Sequence, residues 1–180
     1  IIVGNLKDVV ASTLVTDVSE PCRIGDTSWI KPGSVSWIYW AYNHGSNDYQ
    51  IIRQYVDMAV DMHWPYVLID AEWDEMKNGG SIEDAIRYAL DRGIKPLLWY
   101  NSSTAWLKAW GAPGPHERLN APELREREFA WLERMGVAGV KIDFFAGDKQ
   151  ETMEYCIDLL ECAARHHLLV NFHGATIPRG

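Results

Sequence analysis

Five short apolar segments recur along this chain, and an amphipathic segment of helical length separates each pair of neighbours. The apolar segments are rich in aromatic and β-branched residues, which favours strands, whereas the intervening apolar residues repeat every 3.6 positions, which favours helices. The predicted strands cover 35–40, 66–70, 96–100, 139–143 and 168–172, and the predicted helices cover about 48–62, 81–92, 122–135 and 148–163. This strict alternation predicts an α/β fold with parallel strands joined by right-handed crossovers.

Two architectures fit this alternation: an open doubly wound sheet and part of a (β/α)8 barrel. The segment Asn43–Asn47, after the first strand, does not form the GxGxxG loop of dinucleotide-binding sheets. Polar and aromatic residues instead follow every predicted strand, and in a barrel all these strand ends face one site. A complete barrel typically takes ~250 residues, and this chain has 180. We therefore expect a partial (β/α)8 TIM barrel, with strands one to five and four connecting helices.

Composition excludes several classes of protein. The chain has 17 Lys and Arg against 25 Asp and Glu, without a basic cluster, which argues against nucleic-acid and anionic-membrane partners. No apolar run approaches the ~18 residues of a membrane-spanning helix. The three cysteines show no CxxC or Cys/His metal spacing. His166 and His167 close a predicted helix, where a positive charge complements the helix dipole, so they need no metal role. The sequence therefore predicts a globular chain without a metal site of its own.

Asp143 is the strongest candidate for a catalytic residue. It ends an apolar strand, Phe144 and Phe145 follow it, and Lys141 lies two residues earlier on the same side of the strand. The Lys141 charge is expected to hold Asp143 ionised, as a nucleophile requires. The alternatives are a structural ion pair and a helix-capping Asp.

Other polar side chains at the strand ends are candidates for binding a sugar, because carboxylates and amides accept and donate hydrogen bonds to hydroxyls. Asp70 follows the second strand, and Glu72 shares its side only if that strand continues. Asn171 and His173 share one face of the fifth strand. Loop polarity, capping or packing are the alternative roles for these four residues.

The chain contains nine tryptophans, and a Trp face can stack on the C–H groups of a pyranose. Trp73 and Trp99 lie next to predicted strand ends and are the candidates for such stacking. Trp131 lies on a predicted helix and is expected to pack against the rest of the fold.

Four motifs, taken in order, resemble glycoside hydrolase family 97, which contains bacterial α-glucosidases and α-galactosidases. The resemblance covers nearly the whole chain. The motifs are DTSWIKPG at 26–33, IDAEW at 69–73, VKIDFF at 140–145 and NFHG at 171–174.

The resemblance implies the domain organisation. Members of the family have an N-terminal β-sandwich, a catalytic (β/α)8 barrel and a small C-terminal β-domain. Residues 1–34 would then be the linker from a β-sandwich outside this sequence, and residues 35–180 the N-terminal portion of the catalytic barrel. The other domains of the same protein are expected partners, and a periplasmic or secreted location is expected.

The resemblance also assigns roles. Asp143 matches the nucleophile of the retaining branch. The positions that match sugar-binding residues of the family are Asp70, Lys141 and His173. Glu72 stands where the family usually has Gly. The acid/base Glu is expected after Gly180, and Ca²⁺ is expected in the full-length protein, with ligands mostly outside this segment.

The expected function is that of a retaining, exo-acting α-galactosidase on α-linked oligosaccharides, and the isolated segment is expected to be inactive. The alternatives are an α-glucosidase of the same family and a non-catalytic carbohydrate-binding barrel. A metal-dependent hydrolase using His44, Asp143 and His173 is a weaker alternative, because the His-x-His of such enzymes is absent from the first strand.

Overall fold

A five-stranded parallel sheet forms the centre of the computed structural model, which describes residues 2–105, 107 and 110–175. Five strands alternate with the four long helices of this part of the chain. The strands are β1 Val35–Trp37, β2 Tyr66–Ile69, β3 Lys95–Asn101, β4 Gly139–Asp143 and β5 Leu169–Phe172, and the helices between them are α3 Tyr49–Asp61, α4 Ile82–Leu90, α5 Pro122–Met135 and α6 Gln150–Arg165.

The order of the strands in the sheet is β1-β2-β3-β4-β5, and every neighbouring pair is parallel. A doubly wound sheet reverses its strand order at a switch point, whereas the strands of a (β/α)8 barrel follow one another in sequence order. The five strands therefore form an arc of a (β/α)8 barrel, and the predicted fold class is confirmed. The last five residues of the predicted barrel portion lie outside the described residues.

Local signals position the long helices. The Asp48 carboxylate accepts from two backbone N–H groups in the first turn of α3, and Ser81 forms a reciprocal capping box with Asp84 at the start of α4. Helix α5 has Pro122 in its first turn and ends at Gly136, whose φ of 79° is in the left-handed region. Among the described helices, none combines the length and apolar character that crossing a bilayer requires.

Two boundaries differ from the prediction. Strand β1 ends at Trp37 rather than Trp40, because Ile38–Trp40 forms a 3₁₀ turn in which the Ile38 carbonyl accepts from the next turn. Residues 2–34, which belong to the expected linker, contain two short helices, α1 Leu6–Val10 and α2 Leu14–Asp17. Asn5 and Asp8 form a capping box at α1, so a purely local interaction accounts for the first of these helices.

The two faces of the sheet differ in chemistry. One face buries apolar side chains of the strands among those of the helices, including Ile69, Leu98, Val140 and Ile142. On the other face, the register pairs Trp99 with Lys141 and Asn101 with Asp143. Burial of charged side chains in a strand with no exposed face costs free energy unless the charges are paired. This second face is therefore the place to look for function.

Candidate active site

Two buried carboxylates lie at the C-terminal ends of the strands, where the active sites of (β/α)8 barrels are found. Asp70 directly follows β2, and Asp143 is the last residue of β4. Both residues are almost completely inaccessible to solvent. Each carboxylate therefore depends on hydrogen-bond donors from the protein.

Asp70 is neutralised by a lysine. Its Oδ2 atom accepts hydrogen bonds from Trp37 Nε1 at 2.7 Å and from Lys141 Nζ at 2.8 Å. Its Oδ1 atom accepts from the Ala71 backbone N–H at 2.9 Å. The Lys141 ammonium also lies 4.4 Å from the centroid of the Trp37 ring, within range of a cation–π interaction. Asp70, Lys141 and Trp37 thus form a hydrogen-bonded, nearly neutral unit.

Asp143 is held by different donors. Its Oδ2 atom accepts from His173 Nδ1 at 2.7 Å and from Trp99 Nε1 at 3.2 Å, and its Oδ1 atom accepts from the Phe144 backbone N–H at 2.8 Å. Because an ionised carboxylate only accepts hydrogen bonds, Nδ1 of His173 carries a proton. Three hydrogen bonds thus fix the orientation of the Asp143 carboxylate.

The predicted pairing of Lys141 with Asp143 is therefore wrong. The two residues share a face of β4, as expected, but the Lys141 ammonium reaches across the sheet to the carboxylate after β2. His173 supplies the donor that the sequence interpretation assigned to the lysine.

Gly174 explains the last residue of the NFHG motif. Its φ is 57°, and a Cβ atom at this position would lie 2.6 Å from Asp143 Oδ1 and 3.0 Å from the Phe144 nitrogen. Phe144 itself has a φ of 61°. Backbone of this kind costs energy in a residue other than glycine and is concentrated at functional sites. The main chain after β4 and β5 is thus fitted closely around the Asp143 carboxylate.

Trp73 does not offer a stacking surface, which corrects the sequence expectation. The residue is 2% exposed, and its Nε1 atom donates to the Trp99 carbonyl oxygen at 2.7 Å. Its ring stacks on Trp131 and meets the Tyr100 ring edge-on. Trp73 belongs to the core, and Trp131 packs as expected.

Trp99 is equally closed to a ligand. Its ring is buried, and the Phe144 ring packs against it at a centroid distance of 5.9 Å. Its contribution to the site is the indole N–H that binds Asp143. The stacking expectation for Trp99 is therefore also corrected, while its placement at the site is retained.

Asn171 lies on β5, on the same face of the sheet as Lys141 and Asp143. It is paired in register with Lys141 and is exposed to solvent. His173 follows two residues later and is also exposed, although its ring contacts the buried Asp143. The two residues thus lie beside the charged side chains of β4, as their spacing predicts.

Glu72 leaves the strand because β2 ends at Ile69. Its φ of 70° is in the left-handed region, which favours glycine and accounts for the Gly expected here from the family resemblance. Its Oε2 atom accepts from Asn47 Nδ2 at 3.0 Å and lies 3.0 Å from His44 Nδ1. The Glu72 carboxylate is thus fixed by two side chains of the segment that follows β1.

These contacts argue against the metal-dependent alternative. His44 contacts Glu72, whereas His173 contacts Asp143. In the part of the chain that the structure describes, the only three His, Cys, Asp or Glu side chains with ligand atoms within 4.8 Å of one another are Glu126, Cys162 and His166. His44, Asp143 and His173 do not form such a group.

The sequence interpretation assigns no site role to two tryptophans of the first strand segment. Trp37 donates to Asp70, and Trp40 is 80% exposed and lies edge-on to Trp37 at 5.3 Å. The half-exposed Tyr39 stacks on Trp37. The aromatic run at 35–40 is the sequence signal for both. Tyr39 and Trp40 replace Trp73 and Trp99 as the candidates for stacking on a sugar.

Comparison with known proteins now assigns the family. The sequence profile described as Glycoside hydrolase 97 matches residues 34–180. The chain belongs to glycoside hydrolase family 97. It is 35% identical to a probable retaining alpha-galactosidase of Streptomyces bingchenggensis, with 100% of the chain and 28% of the relative covered. It is 29% identical to a retaining alpha-galactosidase of Bacteroides thetaiotaomicron, and this match covers 97% of the chain and 26% of that relative.

A solved structure extends this family comparison. The crystal structure of a beta-arabinopyranosidase superimposes with a TM-score of 0.83 at 38% identity, covering 96% of this chain and 27% of that one. This family 97 chain thus spans a little more than a quarter of the length of the proteins it matches.

Proposed function

We propose that this chain is part of the catalytic barrel of a retaining glycoside hydrolase in which Asp143 is the nucleophile. The observation that carries the proposal is the Asp143 carboxylate itself, which is buried at the C-terminal end of β4 and accepts three N–H donors. The naming of two curated relatives as retaining alpha-galactosidases supports it.

The reaction then proceeds in two displacements at the anomeric carbon. An Asp143 oxygen bonds to that carbon while the glycosidic oxygen leaves with a proton from a general acid. Water attacks the resulting glycosyl ester, gives its proton to the same acid/base group, and releases the sugar with its original configuration. The acid/base lies about 5–5.5 Å from the nucleophile in retaining enzymes, and from the family resemblance we expect it after Gly180.

The hydrogen bonds around Asp143 suit a nucleophile that must also leave. Trp99 and His173 stabilise the carboxylate that is regenerated when the ester is hydrolysed. The Asp70–Lys141 unit lies beside it and offers both an acceptor and a donor to sugar hydroxyls. Tyr39 and Trp40 supply exposed aromatic faces at the same end of the sheet.

Two substrate classes are supported by particular relatives. The curated relatives favour an α-galactoside, and the beta-arabinopyranosidase structure, at 38% identity, favours a β-arabinopyranoside. A β-L-arabinopyranoside has the ring configuration of an α-D-galactoside but lacks its hydroxymethyl group, so one site can accept both. We propose exo-action on α-galactosides or β-arabinopyranosides and rank α-glucosides below them.

The test uses the full-length enzyme with aryl α-galactoside, β-L-arabinopyranoside and α-glucoside substrates. Nuclear magnetic resonance of the first-formed sugar should show retention of configuration for the galactoside or the arabinopyranoside. Asp143→Asn should lose hydrolysis, and added azide should yield a β-glycosyl azide from the α-galactoside. Inversion, or near-normal turnover by the variant, would overturn the proposal, and sugar binding without turnover would favour the carbohydrate-binding alternative.

The expectations of calcium and of a periplasmic or secreted location stay predictions from the family resemblance. Calcium prefers six to eight oxygen ligands. The described carboxylates of the site, Asp70, Glu72 and Asp143, are each engaged by N–H groups rather than converging on one point. These residues do not by themselves fit a calcium ion, and no step of the proposed reaction depends on one.

A further inference from the structure

A second cluster of chemically reactive side chains joins helices α5 and α6. We call it the α5–α6 cluster: Glu126 and Glu133 from α5, Cys162 from α6, and His166, which caps the end of α6. The Glu126 carboxylate lies 2.9 Å from His166 Nε2 and 3.3 Å from Cys162 Sγ. A thiol, an imidazole and a carboxylate from two helices therefore converge on one point.

The ligand types match one class of ion. Cys sulfur, His nitrogen and a carboxylate oxygen are the ligands that Zn²⁺ takes in tetrahedral sites. Cys162 and His166 are four residues apart at the end of one helix, which places them on the same side, and Glu126 faces them from the other helix. All three ligand atoms lie within 4.8 Å of one another, close to the separations in a zinc site.

The surroundings of His166 strengthen this interpretation. Its other ring nitrogen, Nδ1, lies 2.8 Å from Glu133 Oε2. Zinc-binding histidines almost always donate their second N–H to a carboxylate or carbonyl, which fixes the ring orientation and increases its basicity. With Nδ1–H donating to Glu133, Nε2 is the nitrogen left to bind a metal, and it points towards Glu126 and Cys162.

We propose that Glu126, Cys162 and His166 bind one Zn²⁺ ion, with water as the fourth ligand and Glu133 holding the His166 ring. Binding displaces the thiol proton of Cys162 and any proton on His166 Nε2 to solvent, and no oxidation or reduction occurs. Arg165 donates to Glu126 Oε2 at 2.8 Å, so this oxygen stays hydrogen-bonded to the guanidinium while Oε1 binds the metal. The exposed side chain of Glu126 leaves a path for the ion from solvent.

The position of the cluster indicates a structural ion. His166 lies between the end of α6 and the start of β5, whereas Asp143 lies at the end of β4. The cluster and the candidate active site are thus at opposite ends of the parallel strands, and the ion would stabilise the packing of α5 against α6. This inference replaces the sequence expectation that His166 only complements the helix dipole.

The test uses the full-length enzyme freed of metal by a chelator and then titrated with Co²⁺ as a spectroscopic substitute for Zn²⁺. A thiolate–cobalt charge-transfer band should saturate at one equivalent and disappear on addition of Zn²⁺. The band should be lost in Cys162→Ser and kept in Cys156→Ser, a matched control for a second buried cysteine of the same helix. Because the band requires a thiolate ligand, an oxygen-ligand site elsewhere in the protein does not produce it.

Affinity and protection measurements complete the test. Glu133→Gln should weaken Zn²⁺ binding about 10- to 100-fold, as removal of such an outer-shell partner does elsewhere. In the wild-type enzyme, Zn²⁺ should slow alkylation of Cys162, and His166→Gln should abolish this protection. A folded wild-type protein without a cobalt–thiolate band, or a band that survives in Cys162→Ser, would overturn the proposal and leave the cluster as a set of ion pairs.

Discussion

The two ends of the barrel arc each hold a histidine bound to carboxylate, but burial is reversed between them. At the candidate active site the Asp143 side chain is 5% exposed and His173 is 59% exposed. In the α5–α6 cluster the His166 side chain is 11% exposed, and Glu126 and Glu133 are about half exposed. A histidine and a carboxylate are therefore combined in two different environments.

The difference shows that the protein tolerates buried carboxylates, which cost hydration free energy, at only one of these two places. A buried carboxylate loses its hydration and needs several donors, whereas a half-exposed carboxylate keeps much of its water. The strand ends carry two buried carboxylates, Asp70 and Asp143, and Lys141, which pairs with Asp70, is also buried. Replacing such buried pairs with apolar residues is often neutral or stabilising, so stability alone does not explain them. Their proposed roles in sugar binding and catalysis account for them.

The largest expected effect separates activity from stability at Asp143. Asp143→Asn in the full-length enzyme should lower kcat/KM for the aryl substrate by at least ~10³-fold, or ~4 kcal/mol of transition-state stabilisation. The free energy of unfolding should fall by only about 1–3 kcal/mol, because the amide oxygen still accepts from one donor and His173 can turn to solvent, so that only one buried N–H group loses its acceptor. Steady-state kinetics and urea denaturation measure the two quantities. Equal losses in both would remove the distinction between a catalytic and a structural carboxylate.

The next effect concerns the buried ion pair. Lys141→Met leaves the Asp70 charge uncompensated and should lower the free energy of unfolding by about 3–5 kcal/mol. The double variant Asp70→Asn with Lys141→Met should recover most of this loss, since Asn still accepts from Trp37. Urea denaturation of the two proteins is the measurement. A single variant as stable as the wild type would show that Lys141 does not balance Asp70.

His173 should affect function without affecting the fold. His173→Ala removes the imidazole N–H that binds Asp143 and should lower kcat/KM by about 10- to 100-fold, or ~1.4–2.7 kcal/mol of transition-state stabilisation. Stability should change little because the ring is mostly exposed. His173→Gln, which can still donate, should recover part of kcat. If the Gln and Ala variants were equally impaired, the hydrogen bond to Asp143 would not be the reason for the loss.

The smallest effect is expected in the α5–α6 cluster. Arg165, then His166, lowers the pKa of Glu126 from about 4.5 to about 2. A carboxylate with a lowered pKa stabilises the fold above its unfolded pKa, and this stability is lost as the pH falls through the folded value. Because Glu126 is half exposed, the contribution should be below ~1 kcal/mol.

The measurement compares melting temperatures of the wild type and Glu126→Gln in the presence of a chelator. The wild type should be slightly more stable at pH 6, and the difference should shrink between about pH 5 and pH 2. A difference that is independent of pH over this range would indicate that the Glu126 charge does not contribute.

The sequence by itself determined the alternation of strands and helices and the end of the sheet at which to look for a site. Short apolar runs and a hydrophobic period of 3.6 residues are local properties, and so are the capping signals at Ser81, Pro122 and Gly136. The same local spacing placed Lys141 with Asp143 and Asn171 with His173 on shared faces. The prediction of a barrel followed from these local patterns.

Tertiary structure alone decided which side chains meet. Lys141 binds Asp70, which is 71 residues away in sequence, and Cys162 meets Glu126, 36 residues away. Such pairs depend on strand register, helix packing and the reach of long side chains, none of which is visible in spacing along the chain. The burial of Trp73 has the same origin, since the 3₁₀ turn after Glu72 directs its ring into the helix-facing core.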